Sequence, residues 1–154
     1  MSKDFKTMTT AQLAKRTEFL SKFYDAAPMK HTFKLELSFD NDGNAHFVLP
    51  YQKEFCHSLL DTHGGVIATM IDNAGWFTAA TRYETWVNTS ELTVRLHEPA
   101  NQEELRAYGQ IVRAGGKICV VSMEVKSASD RLVATGAGTF VVSEKVMKLP
   151  EDIS

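Results

Sequence analysis

Residues 62–72, THGGVIATMID, begin a long apolar segment that continues to Ala80. Its apolar side chains are spread around most of a helical circumference, which is typical of a helix that is buried on most of its sides. Two glycines stand near its start, and one carboxylate, Asp72, stands in its middle. Burying a carboxylate costs free energy unless a partner satisfies it. Asp72 is therefore the first residue for which we expect a chemical role.

The segments on either side of this helix predict an α+β domain. Behind the capping-box pair Thr9 and Gln12, an apolar stripe at helical spacing predicts a helix over residues 9–24, ending before Pro28. Alternating stretches at 33–39 and 45–49 flank the turn sequence DNDGN, which predicts a β-hairpin. Further alternation predicts four more strands, over residues 87–96, 103–113, 117–126 and 132–142. Segregated helices with a run of antiparallel strands indicate the α+β class.

The bulk composition limits the classes of function. The chain has 154 residues, of which 44% are hydrophobic, so one domain with a core of useful size is expected. Its net charge of −2 argues against a nucleic-acid partner, because proteins that neutralise many phosphates usually carry a basic excess. No stretch approaches 18 apolar residues, and the first residues lack the apolar core of a signal peptide. We therefore expect no membrane span and a cytoplasmic location.

Three motifs resemble those of a known enzyme family. The stretch 62–72 resembles the His-Gly-Gly pattern of the hotdog-fold thioesterases, which is followed by small and apolar residues and then an acidic one. LTVRL at 92–96 with Pro-Ala after it, and RLVATG at 131–136, are similar to two strands of that family. The match is to the phenylacetate-degradation type within the 4-hydroxybenzoyl-CoA thioesterase group, and it covers roughly residues 45–142.

The resemblance implies a hotdog fold, in which an antiparallel sheet wraps around a long central helix. We predict a single domain over 1–154, with a helical extension at 1–28, the core at 29–143 and a tail at 144–154. One departure stands out. Many relatives carry Asn-x-x-Gly-x-x before the His-Gly-Gly, and those two positions are His57 and Leu60 here. The asparagine often helps to place the thioester or the water in the family, a task that His57 is a candidate to perform.

Thioester hydrolysis needs a site that stabilises negative charge on the carbonyl oxygen and a group that attacks or activates water. Backbone N–H groups at a helix N-terminus supply the first, so Gly64 and Gly65 are candidate oxyanion donors. The alternative is a glycine pair needed for close helix–sheet packing. Asp72 is the candidate base or nucleophile, and its alternative is a structural role, bonded to the backbone or to Asn73. The resemblance favours Gly64 and Asp72 as catalytic residues.

The spacing of Gly64 and Asp72 has a consequence for assembly. They are eight residues apart, which is about 12 Å along a helix, so one carbonyl group cannot contact both. If both act, each site combines Gly64 of one chain with Asp72 of another. This predicts a homodimer with two equivalent sites, and the resemblance implies that a tetramer, as a pair of dimers, is expected.

Four further residues are candidates with ordinary alternatives. Thr89 lies on the strand that in relatives often offers a hydroxyl to the attacking water, but it is equally an ordinary strand threonine, and alternation places Glu91 on its face. His63 is a catalytic candidate or simply orients the loop before the helix. Arg113 and Lys117 flank a Gly-Gly turn where relatives often hold the nucleotide phosphates of coenzyme A, or they form a solvated hairpin tip.

The first functional hypothesis is an acyl-CoA thioesterase, with coenzyme A as part of the substrate and no other cofactor or metal. A non-catalytic acyl-CoA or lipid binder with the same groove is the alternative. A hotdog hydratase is disfavoured because its Asp/His arrangement is not found. The aromatic residues of the central region are either pocket walls for an aryl or medium-chain acyl group or parts of the core; they are Trp76, Phe77, Tyr83 and Trp86.

Overall fold

The computed structural model describes residues 8–150. Two helices come first, followed by a short hairpin, a single turn of 3-10 helix, the long helix and four strands. These elements are α1 (Thr10–Asp25), α2 (Pro28–Phe33), β1 (Glu36–Phe39), β2 (Ala45–Leu49), the turn Lys53–Phe55, α3 (Gly64–Ala80), β3 (Thr85–Leu96), β4 (Leu105–Ala114), β5 (Ile118–Ser127) and β6 (Leu132–Val146).

The strands form one six-stranded antiparallel sheet in the order β1-β2-β4-β5-β6-β3. Helix α3 packs against five of them, β2 to β6. The sheet therefore curls around α3, and its inward side chains and those of the helix form one core. This is the hotdog architecture and the α+β class that the sequence predicted.

The close approach of α3 to the sheet depends on glycine. A Cβ atom at Gly109 of β4 would lie 2.5 Å from the carbonyl oxygen of Ala74 and 2.3 Å from Thr78 Oγ1. A Cβ atom at Gly136 of β6 would lie 2.5 Å from Ile71 Cγ2. Such distances are well inside van der Waals contact, so any other residue at these positions would force the helix away from the sheet.

Helix α1 is attached to the far end of α3 by a buried arginine. Arg16 Nε donates to the carbonyl oxygen of Ala80, the last residue of α3, at 3.0 Å. Burial lowers the pKa of Arg16 to about 10, although nearby Glu84 opposes this shift. The guanidinium also lies over the ring of Phe19, 5.0 Å from its centroid. A cation at the C-terminal end of a helix interacts favourably with its dipole, so Arg16 fixes α1 in place.

Most predicted elements are confirmed, with three differences. The strand predicted over 33–39 begins only at Glu36, because Phe33 is the last residue of helix α2. The capping box at Thr9 is present, and β2 has the predicted bounds. Helix α2 was not predicted: Pro28, taken as the end of α1, is the first residue of a second helix, a position that proline favours. Strand β6 continues to Val146, into the predicted tail. The first seven residues of the predicted extension and the last four of the tail lie outside the described residues. Within residues 8–150, no helix is long and apolar enough to cross a membrane.

The glycine contact between β4 and α3 leads to a prediction about stability. We expect Gly109→Ala to lower the free energy of unfolding by about 1–3 kcal/mol, because the new methyl group overpacks the helix–sheet contact. Gly116→Ala is the matched control, since its Cβ atom would have no neighbour within 4 Å. Urea unfolding of both variants measures the difference. Equal stability of the two variants would contradict this account of the packing.

Candidate active site

The carboxylate of Asp72 lies on α3, half-buried, and faces strand β3. Thr89 Oγ1 donates a hydrogen bond to Asp72 Oδ1 at 2.9 Å. Burial raises the pKa of Asp72, and the bond from Thr89 partly offsets this by stabilising the charged form. Asn73 does not bond to Asp72, because its amide donates to the carbonyl oxygen of Thr69 instead. A carboxylate of raised pKa, held by one hydroxyl, suits a general base or a nucleophile.

A cavity of about 590 Å³ opens beside Asp72. Its walls come from the first two helices, from α3 and from the first half of β3. They are mostly apolar, and among the described residues Asp72 is the only charged side chain in them. The lining residues are Phe23, Tyr24, Ala27, Met29, Ala68, Thr69, Asp72, Asn73, Trp76, Phe77, Trp86, Val87, Asn88, Thr89 and Leu92. An apolar pocket with one perturbed carboxylate is the usual form of a small-molecule site.

Three of the four aromatic residues proposed from the sequence line this cavity: Trp76, Phe77 and Trp86. Tyr83 does not, and its hydroxyl donates to the carbonyl oxygen of Gly115 at the β4–β5 turn. Sequence reasoning missed the contribution of residues 23–29. Phe23 belongs to the apolar stripe of α1, and such a stripe has the same spacing whether it packs on a core or borders a cavity.

The N-terminus of α3 leaves one backbone donor available. His63 is the N-cap, and its Nδ1 accepts the N–H of Gly65 at 2.9 Å. Within the described residues, the N–H of Gly64 donates to no protein acceptor. This geometry favours Gly64 as an oxyanion donor and argues against Gly65. It also favours the orienting role of His63, because a side chain that caps the helix fixes the loop before it.

In the loop before α3, His57 and Leu60 stand at the two positions where the family pattern has asparagine and glycine. His57 Nδ1 accepts the N–H of Leu59 at 3.1 Å, as an asparagine oxygen does in a tight turn. Leu60 adopts the left-handed conformation, with φ at 67°. Its N–H donates to His57 O, and its carbonyl oxygen accepts from the hydroxyl of Tyr51. His57 therefore has a defined structural task in the turn.

Strand β3 lies along α3 between the start of the helix and Asp72 at its middle. A Cβ atom at Gly64 would lie 2.7 Å from Leu96 Cδ1, so the start of α3 lies against the end of β3, while Asp72 meets Thr89 near its middle. A bulge between Thr89 and Glu91 shifts the register with β6. The expectation that Glu91 shares the face of Thr89 is wrong for this reason. Glu91 accepts from Thr93 and Thr139 on the outer face of the sheet.

The two candidate phosphate ligands lie away from Asp72 in their own chain. Arg113 pairs with Val120, and β4 is separated from β3 by β5 and β6. Three strand spacings amount to roughly 14 Å. Both Arg113 and Lys117 are exposed.

Comparison with known proteins places this fold in a family. A model of the thioesterase superfamily matches residues 61–134. A candidate esterase of Saccharolobus solfataricus is 31% identical over 101 residues, which are 65% of this chain and 72% of the relative. The chain belongs to the thioesterase superfamily. The matched segment contains α3 and Asp72 as well as strands β3 to β5, so the site lies largely within the part that defines this family.

Solved structures show the same fold. The Escherichia coli PaaI protein from the phenylacetic acid degradation operon has a TM-score of 0.79 at 14% identity, covering 92% of this chain and all of that one. A thioesterase family protein of Silicibacter pomeroyi has a TM-score of 0.74 at 20% identity, covering 84% and 99% of the two chains. A Bacillus halodurans protein solved with CoA has a TM-score of 0.69 at 26% identity, covering 83% and 93%.

The hydrogen bond from Thr89 leads to a prediction about titration. Removing the hydroxyl with Thr89→Val should raise the pKa of Asp72 further, because burial then acts without the opposing bond. Carbon-13 NMR of labelled aspartate carboxyls would follow the change. Thr93→Val is the matched control, since Thr93 lies on the same strand but bonds to Glu91 on the other face. A pKa of Asp72 that is unchanged in Thr89→Val would show that the bond does not act on the carboxylate.

Proposed function

We propose that this protein is an acyl-CoA thioesterase that hydrolyses an acyl- or aryl-CoA thioester to the free acid and CoA. The observation that carries the proposal is the carboxylate of Asp72, half-buried at an apolar cavity and held by Thr89. Membership of the thioesterase superfamily supports a hydrolase, and the candidate esterase among its relatives supports ester chemistry. The neighbour solved with CoA supports the nature of the leaving group.

The reaction assigns a task to each group. Oxygen from water is added to the thioester carbon, the carbon–sulfur bond breaks, and the sulfur of CoA leaves and takes up a proton. Asp72 either removes a proton from the attacking water or attacks the carbon itself and is then released by water. The N–H of Gly64 stabilises the negative charge that develops on the carbonyl oxygen. Single-turnover hydrolysis in labelled-oxygen water distinguishes the general-base route, which puts the label in the product acid, from a covalent route in which water attacks the Asp72 carbonyl, which leaves the label on Asp72 and releases unlabelled acid.

The separation of Gly64 and Asp72 supports a site shared between two chains. Both lie on the continuous helix α3, eight residues and about 12 Å apart. Strand β3 offers a way to bring them together. It pairs with β6 on one side, and within residues 8–150 no strand pairs with its other side. A long unpaired edge is a template for pairing with a second chain.

The charges on this edge favour one register for an antiparallel pair of β3 strands. Directly opposed residues point to the same face of a sheet. If Thr93 lies opposite its own copy, Arg95 faces Glu91 of the second chain on the outer face. Arg95 is exposed and has no ion pair within the described residues. On the inner face, the same register brings Leu96, and with it Gly64, next to Thr89 and Asp72 of the other chain.

A charge exchange tests this register. We expect Glu91→Arg to weaken the dimer roughly tenfold, because like charges would face each other twice in the symmetric pair. The double variant Glu91→Arg with Arg95→Glu should restore the wild-type affinity, because the ion pairs reform with opposite polarity. Sedimentation equilibrium measures both. Glu144→Arg is a control for charge alone, as Glu144 is an exposed residue near the end of β6. A double variant no tighter than the single one would rule this register out.

A mixing experiment tests the shared site. We expect Asp72→Asn to lose activity by about 10²–10⁴-fold, because it removes the carboxylate base. Gly64→Pro removes the N–H and adds a side-chain ring, at the first helical position where proline is tolerated, and should lower kcat by about 10²-fold. When equal amounts of the two variants are unfolded and refolded together, statistical dimers should recover about a quarter of wild-type activity, because each mixed dimer contains one intact site.

The control for this experiment is Gly64→Ala, which adds the same Cβ atom beside Leu96 but keeps the N–H group. It should retain most of the activity of the wild type. If the mixture stays as inactive as its components, the two residues do not serve one site across two chains. If Asp72→Asn alone is fully active, the role assigned to the carboxylate is wrong.

The geometry of His57 favours examining a second function, a non-catalytic binder of acyl-CoA or lipid. The asparagine that often places the thioester or water in relatives is absent, and His57 Nδ1 is already used in the turn. Tight binding of CoA thioesters without turnover at any chain length would support this function. Hydrolysis that depends on Asp72 would exclude it.

A further inference from the structure

The cavity beside Asp72 is not built by the superfamily-matched segment alone. The matched residues are 61–134, yet four lining residues lie in the segment 23–29, at the end of α1 and the start of α2. They form the wall that faces α3. This wall therefore lies outside the matched segment, whereas Asp72 lies within it.

Phe23 holds the central place in this wall. Its ring lies 6.3 Å from the ring of Trp76 and nearly parallel to it, and 6.0 Å from the ring of Trp86 in an edge-on arrangement. The two tryptophan rings are 4.9 Å apart. One ring thus comes from each of α1, α3 and β3. Arg16 anchors the middle of α1 to the end of α3, and the two tryptophan rings hold Phe23 near the end of α1.

The aromatic hydrogen-bond donors of the cavity do not offer partners to a polar acyl group. The indole N–H of Trp76 donates to Val87 O at 2.7 Å, that of Trp86 to Asn88 Oδ1 at 3.0 Å, and the hydroxyl of Tyr24 to Leu35 O at 3.0 Å. These donors are thus already used within the protein. A buried hydroxyl or carboxylate of the acyl group would lose its hydration without gaining these bonds. A carboxylate would in addition meet the charge of Asp72.

We propose that the α1–α2 segment is the selectivity element of the site. It admits an uncharged, apolar acyl group and rejects one that ends in a carboxylate. Phe23 and Ala27 set the upper limit on its size, Phe23 as the bulky residue and Ala27 as the small one whose side chain leaves space. The inference rests on the proposed function for the identity of the ligand as an acyl thioester.

The first test measures kcat/KM for straight-chain acyl-CoA substrates of increasing length. Phe23→Ala should move the optimum of kcat/KM to longer chains, and Ala27→Leu should move it to shorter ones. In each variant, the ratio of kcat/KM between the new and the old optimal chain length should change roughly tenfold or more. An ω-carboxy substrate of the optimal length should be at least about 100-fold poorer than its unsubstituted counterpart. Phe33→Ala is the matched control, because Phe33 is a half-buried phenylalanine of α2 that stacks on Phe55 outside the cavity lining.

The second test does not need turnover. Both tryptophans of the chain line this cavity, so fluorescence excited where only tryptophan absorbs reports its occupancy. Titration with S-alkyl-CoA thioethers, which cannot be hydrolysed, should give the same order of chain lengths as the kinetic series and the same opposite shifts in Phe23→Ala and Ala27→Leu. Phe23→Leu provides a milder variant if the alanine variant unfolds.

The outcomes separate this inference from the function on which it rests. If the thioethers bind with the predicted shifts but no thioester is hydrolysed, the proposed activity is wrong and the assignment of the α1–α2 segment as selectivity element is supported. If thioesters are hydrolysed but each variant changes kcat/KM for every substrate by the same factor, as Phe33→Ala would through stability alone, the α1–α2 segment is not the selectivity element. An ω-carboxy substrate that is used as well as its apolar counterpart would also overturn this assignment.

Discussion

The contact between helix α3 and the sheet is the constraint on which the other features depend. Gly109 lets β4 approach the carbonyl oxygen of Ala74, and Gly136 lets β6 approach the side chain of Ile71, closer than a Cβ atom would permit. With α3 held against these strands, its remaining side faces β3 and the first two helices. That side carries Asp72 and Trp76, so a helix that is apolar nearly all round still has room for one carboxylate and one cavity. The same packing dehydrates Asp72 and raises its pKa.

The sequence predicted what depends on periodicity and missed what depends on exceptions to it. Helix α3 and the six strands follow from regular patterns, and Asp72 stood out because a charge interrupted one of them. Helix α2 was missed because it has only six residues and begins at a proline taken as a terminator. Glu91 was assigned to the wrong face because a bulge inserts one residue and inverts the alternation after it. The role of Phe23 could not be inferred, since a helical stripe does not reveal what lies opposite.

The loop before α3 shows how a departure from the family pattern is accommodated. A non-glycine residue in the left-handed conformation costs about 1–2 kcal/mol, and Leu60 bears this cost where relatives have glycine. The hydrogen bonds to His57 and Tyr51 hold it there, and the ring nitrogen of His57 supplies the acceptor that an asparagine would offer. The loop therefore delivers Gly64 to the start of α3 without either family residue. His57 and Leu60 thus shape the loop that leads to the N–H of Gly64.

The bulge in β3 gives a single strand two separate tasks. Before it, Thr89 points inward and holds the carboxylate; after it, Glu91 points outward beside Thr93, while Leu92 and Leu96 keep contact with the helix side. Without the extra residue, the alternation that directs Thr89 to Asp72 would place Leu92, Val94 and Leu96 on the outer face. An unbroken strand could therefore serve either the site or an inner-face contact with Gly64, but not both. The same insertion places Glu91 and Arg95 on the outer face, as the proposed pairing of two β3 strands requires.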